Sequence, residues 1–258
     1  MVKAVPDILA RILHRKTEEL QHRESDVELR ADRAISSRRD FRAALLAHPV
    51  AVIAEIKQAS PSKGRIAQHF DPASIAQSYQ QGGAAALSVL TDRDFFEGSL
   101  ADMETARAAA TLPVLRKDFT TCEYHVMEAA AHGADAILLI AAALDATQLR
   151  RFRELAGQYR MAALVEVHDH DELLLAIDSG ASIIGVNNRD LRTFHVDLNV
   201  ALRMAESIPE GVIKVAESGI NSAADVQTLA AAGYRGFLVG EHLMRSPDPA
   251  SALRALFP

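Results

Sequence analysis

The chain has 258 residues, 49% of them hydrophobic, with 28 Lys and Arg against 34 Asp and Glu, for a formal net charge of −6. This composition excludes global disorder, and the lack of a long basic block leaves nucleic-acid binding without electrostatic support. The single cysteine, Cys122, excludes an intramolecular disulfide framework and a multi-cysteine zinc site; with no His-paired nucleophile motif around it, it reads as a loop thiol. No apolar run approaches the ~20 residues of a membrane span. Residues 1–6 (MVKAVP) lack the apolar stretch of a signal peptide, so a cytoplasmic setting without membrane or nucleic-acid partners is expected.

In chain order, residues 1–47 come first. Ile8, Leu9, Ile12 and Leu13 follow helical spacing, and charges dominate through Arg39 and Asp40. The apolar positions in 41–46 (FRAALL) predict a helical extension that packs on the rest of the chain. Eight apolar runs then alternate in two kinds. Runs at 52–57 (VIAEIK), 112–117 (LPVLRK), 163–166 (ALVE) and 212–217 (VIKVAE) each stop on Lys or Glu. Between them lie runs that follow a glycine, after Gly83, Gly133, Gly180 and Gly233, at steps of 50, 47 and 53 residues. Each glycine suits a helix C-terminus, where a left-handed backbone is cheap without a Cβ, and the run after it reads as a buried strand. Asp71-Pro72 predicts one helix start, Asp169 or Asp171 a second, and Asn221 or Ser222 a third. Strands alternating with helices, and apolar almost throughout, predict a parallel sheet. Eight such units predict a single (β/α)₈ TIM barrel domain over 1–258, with 1–47 as its N-terminal extension; a doubly wound open sheet is disfavoured because no G-x-G-x-x-G is present.

A charge is costly at the end of a buried strand unless it is paired. In a (β/α)₈ barrel the C-terminal strand ends form the active site, so Glu55, Lys57, Lys117, Glu166 and Glu217 are expected to share one pocket with Asn187 and Arg189. Lysines among glutamates tune one another for proton transfer; the bland alternative is an ion-pair network closing the barrel mouth. Ser218-Gly219 and Gly240-Glu241 follow the seventh and eighth strands, where phosphate sites of this fold occur, and Ser60 in 60–64 (SPSKG) is a third candidate anion element. Phe96 and Phe119 offer a wall for a planar ligand in a chain with no Trp. The run 166–171 (EVHDHD) has a His-x-His metal pattern, but its aspartates read better as helix starts and no metal is expected.

Seven segments, AEIKQASPSKG (54–64), LTDRDFFEGS (90–99), VLRKDF (114–119), LVEVHD (164–169), IGVNNRDL (184–191), VAESGI (215–220) and FLVGEHLM (237–244), resemble the indole-3-glycerol phosphate synthase family in order and from about residue 5 to the C-terminus. The resemblance implies a carboxy-lyase of tryptophan biosynthesis that needs no cofactor or metal. It would close 1-(2-carboxyphenylamino)-1-deoxyribulose 5-phosphate, a small phosphorylated substrate, to indole-3-glycerol phosphate, CO₂ and water. It implies Lys117 as general acid on the ketone oxygen, Lys57 as partner of the substrate carboxylate, Glu166 as acid–base group of the dehydration and Glu55 as support for Lys117. Asn187, Arg189 and Glu217 would orient substrate, Phe96 and Phe119 would enclose the anthranilate ring, and Ser60, Ser218, Gly219, Gly240 and Glu241 would cradle phosphate. Two residues depart from the family pattern: His195 stands where Glu is expected and His242 where Ser is common. A monomer is expected in preference to an oligomer, with no fused domain beyond the eighth unit. The rival readings are a sugar-phosphate isomerase or aldolase of the same fold, and a non-catalytic barrel.

Overall fold

A computed structural model of the chain describes residues 7–61, 63–66 and 69–257. The expectations for residues 1–6 and for Ser62 lie outside these. Eight parallel strands close a barrel: β1 (Ala51–Ile56), β4 (Ala86–Leu90), β5 (Val114–Lys117), β6 (Ala136–Ile140), β7 (Ala162–Val167), β8 (Ile183–Asn187), β9 (Ile213–Glu217) and β10 (Gly236–Val239), which pairs back with β1. A two-stranded hairpin, β2 (Ala59–Ser60) and β3 (Gly64–Arg65), stands in the loop after β1. Helices α1 (Asp7–Glu19), α2 (Val27–Ala34) and α3 (Phe41–Leu46) precede the barrel. The helices α4 (Pro72–Gly82), α5 (Arg93–Phe96), α6 (Leu100–Ala109), α7 (Glu123–Ala131) and α8 (Ala146–Gln158) lie in the first half of the barrel. Its second half carries α9 (His170–Asp178), α10 (Asn199–Met204), α11 (Ala223–Ala231), α12 (Glu241–Met244) and α13 (Pro249–Arg254). The eight alternating units anticipated from the two kinds of run are all present. Among the described residues, no helix is long and apolar enough to cross a membrane.

Local chemistry sets the helix ends. Asp71 accepts a hydrogen bond from the Ala73 N–H with Pro72 in the first turn, and Gly83 ends the same helix at φ +92°. Of the alternatives left open by sequence, Asp169 caps α9 and Ser222 caps α11, each accepting a hydrogen bond from a backbone N–H of the first turn.

Strand residues alternate between two buried layers. Val52, Ala54, Ile56, Val89, Val165 and Val239 face the helices in the outer core. Ala51, Ile53, Leu115, Leu138, Leu164, Val215 and Leu238 fill the barrel interior, joined by Phe41 and Leu45 of α3. The period of two therefore fixes which later residues point inward. Glu55 follows Ile53 by two, Lys117 follows Leu115, Glu166 follows Leu164 and Glu217 follows Val215, so all four charges lie on the inward faces of alternate barrel strands.

The N-terminal extension is tied down by charge. The Lys16 ammonium is buried 3.0 Å from Asp92 Oδ2 and 2.9 Å from Asp118 Oδ1, in the loops after β4 and β5. Burial works against the Lys16 charge, but Asp118 and Asp92 outweigh it and raise its pKa; burial likewise opposes ionised Asp118, but Arg116 and Lys16 hold it below the usual carboxylate range. Lys16→Ala should cost up to about 3–5 kcal/mol, because two buried carboxylates lose a shared cation. Urea denaturation and amide exchange within α1 measure this; a loss under about 1 kcal/mol with α1 still protected would contradict it. A lowered Asp118 and a raised Lys16 give a contribution present from about pH 5 to 10, lost as pH falls through the folded Asp118 value.

Candidate active site

Alternate strands of a (β/α)₈ barrel contribute side chains to successive interior layers of four. In this barrel the top layer is Glu55, Lys117, Glu166 and Glu217, from β1, β5, β7 and β9. Glu55, Glu166 and Glu217 are 5%, 2% and 1% exposed, which is rare for carboxylates without partners. Lys117 Nζ lies 3.3 Å from Glu166 Oε2 and 4.0 Å from Glu217 Oε2. Lys57, one residue beyond β1, donates to Glu55 Oε1 at 2.5 Å. Glu55 thus engages Lys57 directly and acts on Lys117 only at longer range. Two glycines make room for the layer. A Cβ on Gly185 would fall 2.0 Å from Glu217 Oε1, and one on Gly240 would fall 2.3 Å from Glu55 Oε1.

Because three carboxylates share the layer with Lys117, their protonation is unequal. Burial opposes the Lys117 ammonium, but Glu166, Glu217 and Glu55 outweigh it and raise its pKa. Burial also opposes ionised Glu166, yet Lys117 and His168 hold it well below the usual carboxylate range. Glu217 goes the other way: burial and the negative charges of Glu166 and Glu55 raise it well above, against the pull of Lys117. A charged lysine, an ionised glutamate and a glutamate pushed toward its acid form therefore meet at one point, an arrangement suited to passing protons to and from a bound molecule.

Above the layer is a cavity of ≈ 940 Å³, lined by all fourteen residues anticipated from sequence, from Glu55 and Lys57 to Gly240 and Glu241. Phe96 and Phe119 stand together on one wall, with ring centroids 6.1 Å apart at 35°. Asn187 Oδ1 accepts the Arg189 backbone N–H at 3.0 Å, fixing the start of the loop after β8. Ser60 lies in the β2–β3 hairpin at the rim. Ser218 and Gly219 both take left-handed backbone, φ +65° and +82°, and a Cβ on Gly219 would fall 2.4 Å from Val196 Cγ1. A left-handed serine is a strained residue of the kind that clusters at ligand sites. Glu241 opens α12, where the first N–H groups lack helical partners, while its carboxylate pairs with Arg245 at 3.0 Å. Its side chain is thus taken, leaving its backbone as the part suited to an anion.

Some lining groups escaped the sequence reading. Ile8, Leu9 and Ile12 of α1 form part of the cavity wall, a placement that helical spacing alone does not reveal. His168, noted only for a metal pattern, instead contacts Glu166 Oε1 at 3.3 Å and Glu172 Oε2 at 2.9 Å. Its position two residues after an inward glutamate was the available signal.

The family model described as indole-3-glycerol phosphate synthase matches residues 9–256. The chain is 49% identical to an indole-3-glycerol phosphate synthase of Aromatoleum aromaticum, covering 97% of this chain and 99% of that protein. It is 51% identical to the same-named protein of Chromobacterium violaceum, over 90% of this chain and 88% of that one. Among solved structures, a thiamine phosphate pyrophosphorylase of Pyrococcus furiosus superposes with TM-score 0.62 at 17% identity, covering 82% of this chain and 95% of that chain. A mutant tryptophan synthase α-subunit of Pyrococcus furiosus gives TM-score 0.59 at 15% identity, covering 80% and 97%. At these identities the two structures speak to the fold alone.

The crowding at Gly185 has a measurable consequence. Gly185→Ala should destabilise by about 1–3 kcal/mol through overpacking against Glu217 and Leu164. Gly157→Ala, within α8 and with nothing near its added Cβ, should be neutral or stabilise by up to about 1 kcal/mol. Urea midpoints compare the two; equal stabilities would contradict the close fit at Gly185.

Proposed function

The chain belongs to the indole-3-glycerol phosphate synthase family, carboxy-lyases of tryptophan biosynthesis, and on that premise we infer that the charged layer and its rim divide the reaction among named side chains. The substrate carries a carboxylated aromatic ring, a ketone and a phosphate in sequence. The cavity is lined by groups suited to each part: two phenylalanines, the lysine–glutamate layer, and the loops after β9 and β10.

Lys57 receives the substrate carboxylate, which competes with Glu55 for the same ammonium and is held out of the ring plane for loss of CO₂. Phe96 and Phe119 enclose the ring. Lys117 protonates the ketone oxygen as the aromatic carbon attacks. The carboxylates around Lys117 keep it charged until that moment, and the alkoxide forming on the substrate is more basic than any amine, so the transfer runs downhill. Glu166, ionised, serves as the acid–base group of the dehydration, and Glu55 supports the later proton steps. Glu217, pushed toward its acid form, suits a hydrogen bond to a ribulose hydroxyl. Asn187 and Arg189 orient the chain, and Ser60 with the backbone of Ser218, Gly219, Gly240 and Glu241 receives the phosphate. A carboxylate enters and neutral CO₂ leaves, so each turnover takes up one proton from solvent.

The single observation that carries this reading is Lys117, half-buried among three carboxylates at the floor of the cavity. As further parts of the same reading, the working unit is a monomer, and a biosynthetic small-molecule substrate suits a cytoplasmic setting. Lys117→Ala should lower kcat by about 10²–10⁴-fold or more while ligand binding persists. Indole absorbance from the ribulose substrate reads turnover, and calorimetry with product reads binding; near wild-type turnover would remove Lys117 from its role.

A further inference from the structure

We propose that His168 is a positioning residue for the dehydration half of the reaction, holding Glu166 from behind so that it stays an ionised base after Lys117 has given up its proton. This rests on the reading above that Glu166 is the acid–base group.

The geometry divides Glu166 into two ends. Oε2 faces Lys117 at 3.3 Å, on the side of the reacting molecule, and Oε1 faces His168 Nε2 at 3.3 Å, on the side away from it. His168 is itself fixed. Its Nδ1 lies 2.9 Å from Glu172 Oε2, and its backbone N–H donates to that same oxygen at 2.8 Å. Glu172 sits in the first turn of α9, where its own N–H donates to the capping Asp169 at 3.0 Å. The ring is thus clamped between the end of a barrel strand and the start of the next helix, with a carboxylate on each nitrogen. Nδ1 is within hydrogen-bond distance of Glu172, whereas Nε2, which makes no hydrogen bond, faces Glu166 Oε1 as an ion pair, the pairing of a charged imidazolium.

The charges around this pair set its task. Lys117 from β5, Asn187 from β8 and Glu217 from β9 face Glu166. Lys117 and Asn187 favour its ionised form, and Glu217 competes for the same cation. Once Lys117 delivers its proton to the ketone oxygen, its positive charge is gone at the step when Glu166 must accept one. His168 is then the cation that remains in contact with Glu166 among the described residues. On its far side, His168 borders a second cavity of ≈ 380 Å³ with Asp190, Arg192, His195 and Asp197. Asp190 is the nearer of these in effect, since His168 contributes to holding its pKa down. Burial works against the imidazolium, but Glu166 and Glu172 outweigh it and push its pKa up to about 10. The ring therefore stays charged across the neutral range, and its loss would let Glu166 take up a proton at higher pH.

Two variants give opposite signatures in the pH dependence of kcat. His168→Asn should lower kcat about tenfold or more with little change in KM, and move the acidic limb up by at least about one pH unit. Glu172→Gln keeps the imidazole but removes one of the charges that raise its pKa. Its ring should deprotonate near neutrality, so activity should fall on the alkaline side as pH rises. A purely structural role would lower kcat or stability without moving either limb, and unmoved limbs in both variants would overturn the proposal. Should His168→Asn fail to fold, nitrogen NMR of the wild-type ring decides: protonation retained from pH 6 to 9 is expected, and titration near the ordinary histidine value, about 6.5, would overturn it. Glu166→Gln separates the two levels. Full activity in that variant would remove Glu166 from its role, whereas an inactive Glu166→Gln beside an unaltered His168→Asn profile would overturn the His168 proposal alone.

Discussion

Everything at the mouth of this barrel depends on one lysine ammonium placed in a layer with three carboxylates. An interior layer of a (β/α)₈ barrel is ordinarily filled by branched apolar side chains. Below Glu55, Lys117, Glu166 and Glu217 that is what Ile53, Leu115, Leu164 and Val215 do. The layer above them exchanges packing for charge. Taking an ion out of water costs several kcal/mol, so none of these four groups is tolerable alone. Their protonation states are consequently a property of the set. Lys117 is held charged, Glu166 is held ionised and Glu217 is pushed toward its acid form, although the last two are the same residue type on neighbouring inward positions.

The surrounding structure serves that layer. Gly185 and Gly240 are places where a side chain would collide with Glu217 and Glu55. The extension before the barrel reaches both of its ends, with Phe41 and Leu45 in the interior core and Ile8, Leu9 and Ile12 on the cavity wall. Lys16 anchors the upper contact through Asp92 and Asp118, and Asp118 directly follows Lys117 in the chain. A second set of buried charges thus braces the strand end that presents Lys117.

Much of this was legible in the sequence because the relevant signals are local and periodic. Charge-ended runs alternating with glycine-led runs identify eight strands, and inward alternation places Glu55, Lys117, Glu166 and Glu217 together without any knowledge of ligand. The spacing could not say who pairs with whom. Glu55 was expected to support Lys117; it contacts Lys57, two residues further along the chain, and acts on Lys117 only at longer range. His168 drew notice only through a His-x-His pattern that was set aside as a metal site, because that pattern is one-dimensional; its partners, Glu166 and Glu172, meet it only where β7 turns into α9. The role of α1 was hidden for the same reason, since a helix spacing names an apolar face but not the surface it covers.

The most direct test of the shared layer is isotope-edited infrared spectroscopy of the carboxyl groups in the folded protein at neutral pH. One protonated buried carboxyl band is expected, and it should vanish in Glu217→Gln while the Glu166 band stays that of an ionised carboxylate. A neutral-pH spectrum with no protonated carboxyl, or one whose protonated band survives in Glu217→Gln, would contradict the unequal division of charge around Lys117.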